Sequence, residues 1–481
     1  MQRKFLINLF LFIGLNLLIK PFWIFGIDRT VQNTVDEYSY GMYFVLLNFS
    51  IIFNMLLDFG IHSFNSRSVA RSDGFLQDGF SRIFTLKLLL GIFYAVVVLL
   101  AGWIWGYSIL QCKILVPLIV NQFLSSFILY LRSNVSGLLM FKTDSILSVI
   151  DRLVMIVCCS ILLWGNVTDT PFQIEWFIYV QTFAYLFTIL IALFIVLRKT
   201  KLKSPYIDYK YFKFILCQSL PFALLALLTN LHNRTDSIFL ECLLPHKLGA
   251  EQAGIYAYAF RLLDAAMIIA YIISVLLMPM FSRMIAEKKS VNSLVKTSFT
   301  VIFIYGTLLA VASYFYSYPI METLYHDHVF ESSAVFKILM LSIAPLTATY
   351  IFGSLLTANG DLKKLNIIAF IAMALNIGLN IILIPKYFAL GSAIASVCTQ
   401  MFIITAEIII SVKVFSLKIT KGYVIRLFCF VLFTVIAAWL SLKLPFSWSV
   451  NFIIMLCFCA LLVIMLGLVK VKEILKLMIN H

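Results

Sequence analysis

Between Pro221 and Arg283 the chain reads PFALLALLTN LHNRTDSIFL ECLLPHKLGA EQAGIYAYAF RLLDAAMIIA YIISVLLMPM FSR. An apolar helix running from Phe212 to about Thr229 is expected to end in the polar run Asn230 to Asp236, which holds His232 and Arg234. A short polar loop then reaches Gly254. A second long apolar helix carries Arg261 and Asp264 one turn apart and stops at Pro279. Ionisable groups inside apolar helices of this length cost roughly 2.5–3.5 kcal/mol each on insertion scales and mark functional sites by default. Arg261 and Asp264 can also pair with each other across the turn and simply hold the helix. Both readings stand for that pair.

Apolar runs of similar length recur along the entire chain. Of its 481 residues 62% are hydrophobic and only 12% are charged, and the mean hydropathy is +1.00. Each run is long enough to cross a hydrocarbon core of about 30 Å. The runs are continuously apolar instead of alternating every second residue, which selects helices over a barrel. The fold class is therefore all-α: a polytopic membrane protein of about fourteen transmembrane helices. They are expected near 5–26, 41–61, 83–105, 114–131, 146–164 and 175–197, near 212–232, 254–278, 297–318, 335–357, 365–384 and 389–411, and in a final pair near 423–442 and 449–469. The N-terminal run lacks a small-residue cleavage site before Lys20-Pro21 and reads as the first span, kinked at Pro21.

The formal charge of +15 would suggest nucleic acid in a soluble protein. Here the basic residues sit in short loops between spans, where they set topology, and no nucleic-acid partner is expected. With both termini in the cytoplasm, one set of loops and helix ends holds Arg67, Arg71, Arg82, Arg132, Lys142, the dense run Arg198 to Lys213, Arg283 to Lys296, Lys363, Lys364, Lys413 to Arg426 and the tail lysines. The opposite loops hold little beyond Arg29, Lys113, Lys247, Lys386 and Lys443, together with Asp28, Asp36, Glu37, Asp169, Glu175 and Glu322. Roughly three quarters of the Lys and Arg fall on one side, a bias that fixes orientation.

The basic loop Arg198 to Lys213 divides two sets of six helices, and the sets look repeated. Gly41-x-Tyr43 answers Gly254-x-Tyr256, Ser66-Arg67-x-x-Ala70 answers Ser282-Arg283-x-x-Ala286, and Gly137-Leu138-Leu139 answers Gly353-Ser354-Leu355. The last two matches share one offset, 66 to 282 and 137 to 353. An even number of helices per repeat brings both halves in from the same side, as in transporters with parallel repeats. The organisation read from this is an N-terminal six-helix lobe at 1–198, a second at 199–412, and an extra two-helix segment with a tail at 413–481.

Arg234-x-Asp236, Gly254-x-Tyr256 and Pro279-x-Phe281-Ser282-Arg283, taken in that order, resemble the polysaccharide flippases of the multidrug/oligosaccharidyl-lipid/polysaccharide (MOP) exporter superfamily. Leu57-Asp58-Phe59-Gly60 with Ser66-Arg67 is similar to that family's segment leading out of its second helix. The stretch from Ala358-Asn359-Gly360 to Ala395, with Asn376, Asn380, Ile384-Pro385 and Gly391-Ser392-Ala393, is similar to its eleventh and twelfth helices. The resemblance implies two lobes around a central cavity, residence in the bacterial cytoplasmic (inner) membrane, and no enzymatic activity. It also implies a substrate: an oligosaccharide repeat unit linked to a polyprenyl pyrophosphate of the undecaprenyl type, moved between leaflets for O-antigen, capsule or another exopolysaccharide. Its partners would be membrane lipids, a polysaccharide polymerase and glycosyltransferases. The lipid II flippases of the superfamily add two C-terminal helices, as this chain does.

Among the few ionisable residues at membrane depth, Lys20, Arg234 and Arg261 lie in or beside the first, seventh and eighth helices, which line the cavity in the family this chain resembles. Their sign suits a pyrophosphate, because guanidinium and ammonium groups compensate an anion removed from water. Asn376 and Asn380 are four apart and share a helix face; they are either interhelical glue or part of an ion site. In lipid II flippases a sodium ion is held by an acid of the seventh helix, two polar residues of the eleventh, and the twelfth. The resemblance places Asp236, Asn376, Asn380 and Ser396 at those positions, with Asn380 where the relatives have a carboxylate. No cofactor is expected beyond such a coupling ion, Na+ or H+. Lys87 and Lys337 are expected to snorkel at helix ends, Asp151-Arg152 to be topological, and His326-Asp327-His328 to form a solvated turn instead of a metal site. The cysteines lack zinc spacing.

Two other classes compete. A cation-coupled drug antiporter of the same superfamily would show an acidic cavity. A membrane glycan polymerase or ligase would carry a large external loop, and none longer than about twenty residues fits the span placement.

Overall fold

A computed structural model describes residues 14–468 apart from 17, 20, 63–64, 67–68, 70–74, 139, 166, 168–169, 201–207 and 419. Lys20, Arg67, Ala70, Asp169 and the tail lysines lie outside the described residues. Among those described, ten helices are long and apolar enough to cross a membrane. The chain divides into two units, 1–254 and 255–481.

In the first unit, helical residues 21–22 lead into a π-helical turn, Trp23–Asp28, that runs on into α1 (Arg29–Thr34). It continues with α2 (Glu37–Ile52), the short α3 (Met55–Asp58), α4 (Phe75–Trp105), α5 (Ile109–Gly137), α6 (Phe141–Trp164), α7 (Ile174–Leu197) and α8 (Tyr209–Leu243). Helix α9 (His246–Ala286) begins in this unit. Caps set several of these starts. The Asp36 carboxylate accepts from the Ser39 amide at the head of α2, and Ser108 with Gln111 closes a reciprocal capping box on α5, the arrangement that satisfies the orphan donors of a helix N-terminus. Ile61, Phe80, Ile83, Tyr130, Leu147 and Val196 form the main core.

Two expectations are corrected here. The seventh helix does not end at Asn230–Asp236, and no polar loop reaches Gly254. Helix α8 continues to Leu243 and α9 restarts at His246, with Pro245 between them. The polar run stays helical because its side chains turn inward: His232, Asp236 and Ser237 are buried, and a helix is the conformation that satisfies its own backbone in lipid. Arg234 and Asp236 are thus helix-interior residues. The second expected span is also broken. Phe59 (φ 45°) and Gly60 (φ 76°) are both left-handed, which ends α3 at Asp58.

Gly41 and Gly254, matched in the repeat, prove to be contact points. A Cβ on Gly41 would lie 1.9 Å from the Ala250 carbonyl oxygen, and one on Gly254 would lie 2.5 Å from the Glu37 carbonyl oxygen. Helix α2 and the first turns of α9 therefore pack backbone to backbone, the close approach that small residues permit between membrane helices.

The second unit holds the rest of α9, then α10 (Asn292–Phe315), α11 (Ser317–Leu324), α12 (Val329–Leu339), α13 (Ile343–Asn359), α14 (Leu362–Phe415), α15 (Lys421–Ser441) and α16 (Trp448–Met465). Phe281, Ile351, Leu355 and Ile404 centre its core. α15 and α16 pack on α10 through Tyr316, Ala438 and Met455, where the Tyr316 and Ser441 hydroxyls lie 2.7 Å apart. α14 is not straight. Phe388 has φ 51° and ψ −134°, just past Pro385, and Ile368 and Ala372 share a core cluster with Ile403. Its two halves fold back on each other as the expected spans 365–384 and 389–411. The outward surface is apolar, with Ile92, Leu100, Phe194 and Phe428 all exposed. A protein in water hides such residues; one in lipid presents them.

A candidate site of buried polar groups

The sequence-predicted residues fall in both units. In the first, α8 lies along α2, and hydrogen bonds pin the seam: Asn48 donates to Ser237 at 2.9 Å and Asn230 donates to the Ile51 carbonyl at 3.4 Å. Asp236, one residue from that bond, is 1% exposed, while Arg234 is half-buried. An acid and a guanidinium two positions apart on α8 thus have different access, because successive helical positions point about 100° apart. Lys20 lies outside the described residues.

In the second unit the Asn376 and Asn380 side chains do meet. The Asn380 amide donates to both the backbone carbonyl and the side-chain oxygen of Asn376, at 3.0 and 3.1 Å. Ser392, on the returning half of α14, donates to Asn380 at 2.9 Å. Gly391 lets the two halves come this close, since a Cβ there would be 2.5 Å from the Leu383 carbonyl oxygen. Ser396 faces the Tyr256 hydroxyl at 3.5 Å. Arg261 is half-buried on α9. The oxygens of Asn376 and Asn380 are hard, neutral donors of the kind that suit an alkali cation.

Two clusters escape a reading of the sequence. Lys87 does not snorkel; it is 2% exposed. Its ammonium donates to the Leu57 carbonyl at 2.8 Å, the Asp58 carboxylate at 2.6 Å and the Ser126 hydroxyl at 3.1 Å. The left-handed pair Phe59-Gly60 leaves carbonyls of the preceding turn without helical partners, and Lys87 satisfies one of them while neutralising Asp58. The error lies in starting the third span at 83. Because α4 starts at Phe75, Lys87 lies three turns inside it.

Asp28, expected in an external loop, is instead 2% exposed inside the helix. It accepts from the Tyr40 hydroxyl at 3.0 Å and from Gln32 at 3.4 Å, and Gln32 also donates to Tyr40 at 2.9 Å. The spacing Asp28-x-x-x-Gln32, one face of a helix, is the signal that could have found it. Arg152, expected to be topological, lies 5.4 Å over the Trp23 ring and 3.8 Å from Asp151. Lys337 lies 4.3 Å over the ring of Tyr314. Glu407 is 4% exposed, with one carboxylate oxygen lacking a hydrogen-bond partner; Gly353 makes room for it, its notional Cβ lying 3.4 Å from Oε1. Among the described residues no three His, Cys, Asp or Glu side chains group as metal ligands.

Long apolar helices with an apolar exterior are those of a polytopic membrane protein. Solved structures share the fold. The fold is similar to that of lipid II flippase MurJ in an inward closed conformation, with a TM-score of 0.70 and 17% identity over 96% of this chain and 99% of that one. It is also similar to a mutant of the Vibrio cholerae MATE transporter VcmN, with a TM-score of 0.57 and 14% identity over 85% and 96% of the two chains. A MOP superfamily transporter from Pyrococcus furiosus, whose binding pocket is described as reversed in polarity, matches at 0.60 with 12% identity over 85% and 95%. No curated protein matches the sequence in direct comparison. The family model for polysaccharide biosynthesis proteins matches residues 25–285. The chain belongs to that family.

Proposed function

We propose that the protein is a flippase, not an enzyme, that carries a polyprenyl-pyrophosphate-linked oligosaccharide from the inner to the outer leaflet of the cytoplasmic membrane by alternating access. The observation that carries this reading is the coincidence of membership in the polysaccharide biosynthesis family with two half-buried arginines, Arg234 and Arg261, inside long helices. A polar anionic head must cross about 30 Å of hydrocarbon, and guanidinium forks match phosphate oxygens. Arg234, Arg261 and Lys20 hold the pyrophosphate. The lobes are 1–198 and 199–412, and 413–481 adds a helix pair. A polymerase and glycosyltransferases are the partners on either side of the transport step.

Both termini are cytoplasmic. Reporter fusions after Thr200 and at the C-terminus are expected to report cytoplasm, and fusions near Asp169 and Pro245 the exterior. A C-terminal fusion active only outside would overturn the orientation.

Two negative charges moving outward across an interior-negative membrane gain about 4–5 kcal/mol at 100 mV if uncompensated, so the step that needs driving is the return of the empty carrier. A cation from outside resets it by binding one state better than the other, at Asp236, Asn376, Asn380 and Ser396. The test is translocation of the lipid-linked oligosaccharide in sealed vesicles at fixed potential, with external sodium and pH varied independently. Sodium dependence that disappears in Asp236→Asn and in Asn376→Ala is the expected result. Proton dependence that survives both places coupling elsewhere, at Asp28, Asp58 or Glu407. Vesicles that move no lipid-linked sugar under any condition sink the flippase reading.

A further inference from the structure

At the end of α8 away from the basic Arg198–Lys213 loop, the first unit holds a cavity of about 710 Å3, within the range of about 300–1,000 Å3 typical of small-molecule sites. Three aromatic side chains line it, Tyr38, Trp105 and Tyr107, together with Ser108, Gln111 and Glu241. Among the described residues no lysine or arginine lines it. These groups come from the starts of α2 and α5, the end of α4 with the turn that follows it, and the end of α8.

Aromatic residues at this level of a membrane helix ordinarily form an interfacial belt, with their polar tips in water. Trp103 and Ile104, 77% and 76% exposed, fit that description. Trp105, 46% exposed, and Tyr107 also make inward contacts. The Trp105 indole N–H donates to the Cys242 thiol at 2.7 Å. The Tyr107 ring packs edge-on against Phe49 at 5.1 Å, and its hydroxyl is buried without a hydrogen-bond partner. The second unpartnered atom in this wall is a carboxylate oxygen of Glu241; the other oxygen accepts a short hydrogen bond from the Gln111 amide. Buried hydroxyls and carboxylates are nearly always satisfied, because leaving one unmade costs about 1–3 kcal/mol. Here a buried donor and a buried acceptor lie just behind the wall of one cavity, where a small side-chain shift would present them to a ligand, while the Gln111 and Glu241 side chains are hydrogen-bonded to each other.

We infer that this cavity is a binding site for the uncharged, hydroxyl-rich sugar portion of the transported molecule. Flat aromatic faces accept the apolar face of a pyranose ring, and a tyrosine hydroxyl, a serine hydroxyl, a carboxamide and a carboxylate together offer donors and acceptors to sugar hydroxyls. A wall that carries a carboxylate and no cation among its described residues does not suit a pyrophosphate, which divides the labour: arginines for the phosphates, this pocket for the glycan. The identity of the ligand rests on the flippase reading above; the existence of the site does not. A pocket that hydrogen-bonds hydroxyls also discriminates between sugars, because an analogue missing one leaves a buried group unpaired.

The experiment is equilibrium binding by titration calorimetry to the full-length protein in lipid nanodiscs. The probes are water-soluble repeat-unit oligosaccharides released by mild acid from the host's own surface polysaccharide, with tetraphenylphosphonium as a lipophilic cation. Saturable oligosaccharide binding is expected, weakened at least tenfold in Glu241→Gln and in Trp105→Phe and about threefold in Tyr107→Phe, which removes only the hydroxyl. Binding of no oligosaccharide overturns the inference, as does saturable binding of the cation alone that disappears in Glu241→Gln. Oligosaccharide binding that is unchanged in all three pocket variants overturns it too. Failure of the flippase reading looks different: oligosaccharide binding with the expected pattern, but no lipid translocation in vesicles.

Discussion

Replacing Lys87 with methionine is expected to destabilise the first unit by about 1–3 kcal/mol, the cost of leaving buried acceptors unmade, because the buried ammonium is removed while the Asp58 carboxylate it leaves is 30% exposed. Methionine matches much of the length of the lysine stem but offers no donors. The Asp58 carboxylate then keeps only the His62 amide, at 3.3 Å, and the Leu57 carbonyl only the Ser126 hydroxyl, at 3.3 Å. Thermal unfolding in detergent, with protein abundance in the membrane, reads the effect. The double variant Lys87→Met with Asp58→Asn should recover more than half of the loss, since the stranded charge is gone. A single-variant cost below about 1 kcal/mol, the range of exposed pairs, would show that Lys87 is not the clamp on the Phe59-Gly60 turn.

The other large effect concerns transport. Arg234→Ala should lower polysaccharide export about ten- to a hundredfold, because a charge-assisted hydrogen bond is worth about 1.5–3 kcal/mol and each 1.4 kcal/mol is tenfold. Protein abundance should not change, since Arg234 is half-buried and not part of the packed core. Arg234→Lys should recover only part of the export if the contact uses the planar fork, which lysine lacks. Arg261→Ala is expected to behave alike. Full export in Arg234→Ala and in Arg261→Ala would make both arginines structural, and the pyrophosphate would have to be held elsewhere.

How far these residues can be read from sequence depends on periodicity against burial. Span existence is legible almost everywhere, because continuous apolar runs such as Ile174–Leu197 have no alternative to a membrane helix. The hairpin around Pro385 is legible too, and so is the pairing of Asn376 with Asn380, since a four-residue spacing fixes a shared face. Helix ends are not. Asn230–Asp236 looks like a terminus because polar residues favour loops in water; inside a bundle the same residues face one another and the helix runs on. The same error hides Lys87, whose meaning changes from surface to core when α4 gains two turns at its start. Polarity alone puts Asp28 in a loop, and only its contacts with Gln32 and Tyr40 reveal a buried cluster. The Tyr107–Glu241 cavity cannot be foreseen at all: its walls come from residues more than a hundred positions apart, with no shared motif.

The hairpin of α14 also bears on how the protein is made. A chain leaving the ribosome exposes the first half, with Asn376 and Asn380, before Ser392 has been synthesised. Alone in lipid, that half would lack the Ser392 hydroxyl that Asn380 accepts from, and its C-terminal end carries Lys386. The second half supplies the Ser392 hydroxyl and the small surface of Gly391, Ser392 and Ala393, all buried, on which the first half closes. The link at Phe388 is too short for the halves to part company and find each other later. The two halves are therefore expected to enter the bilayer together, as one helical hairpin.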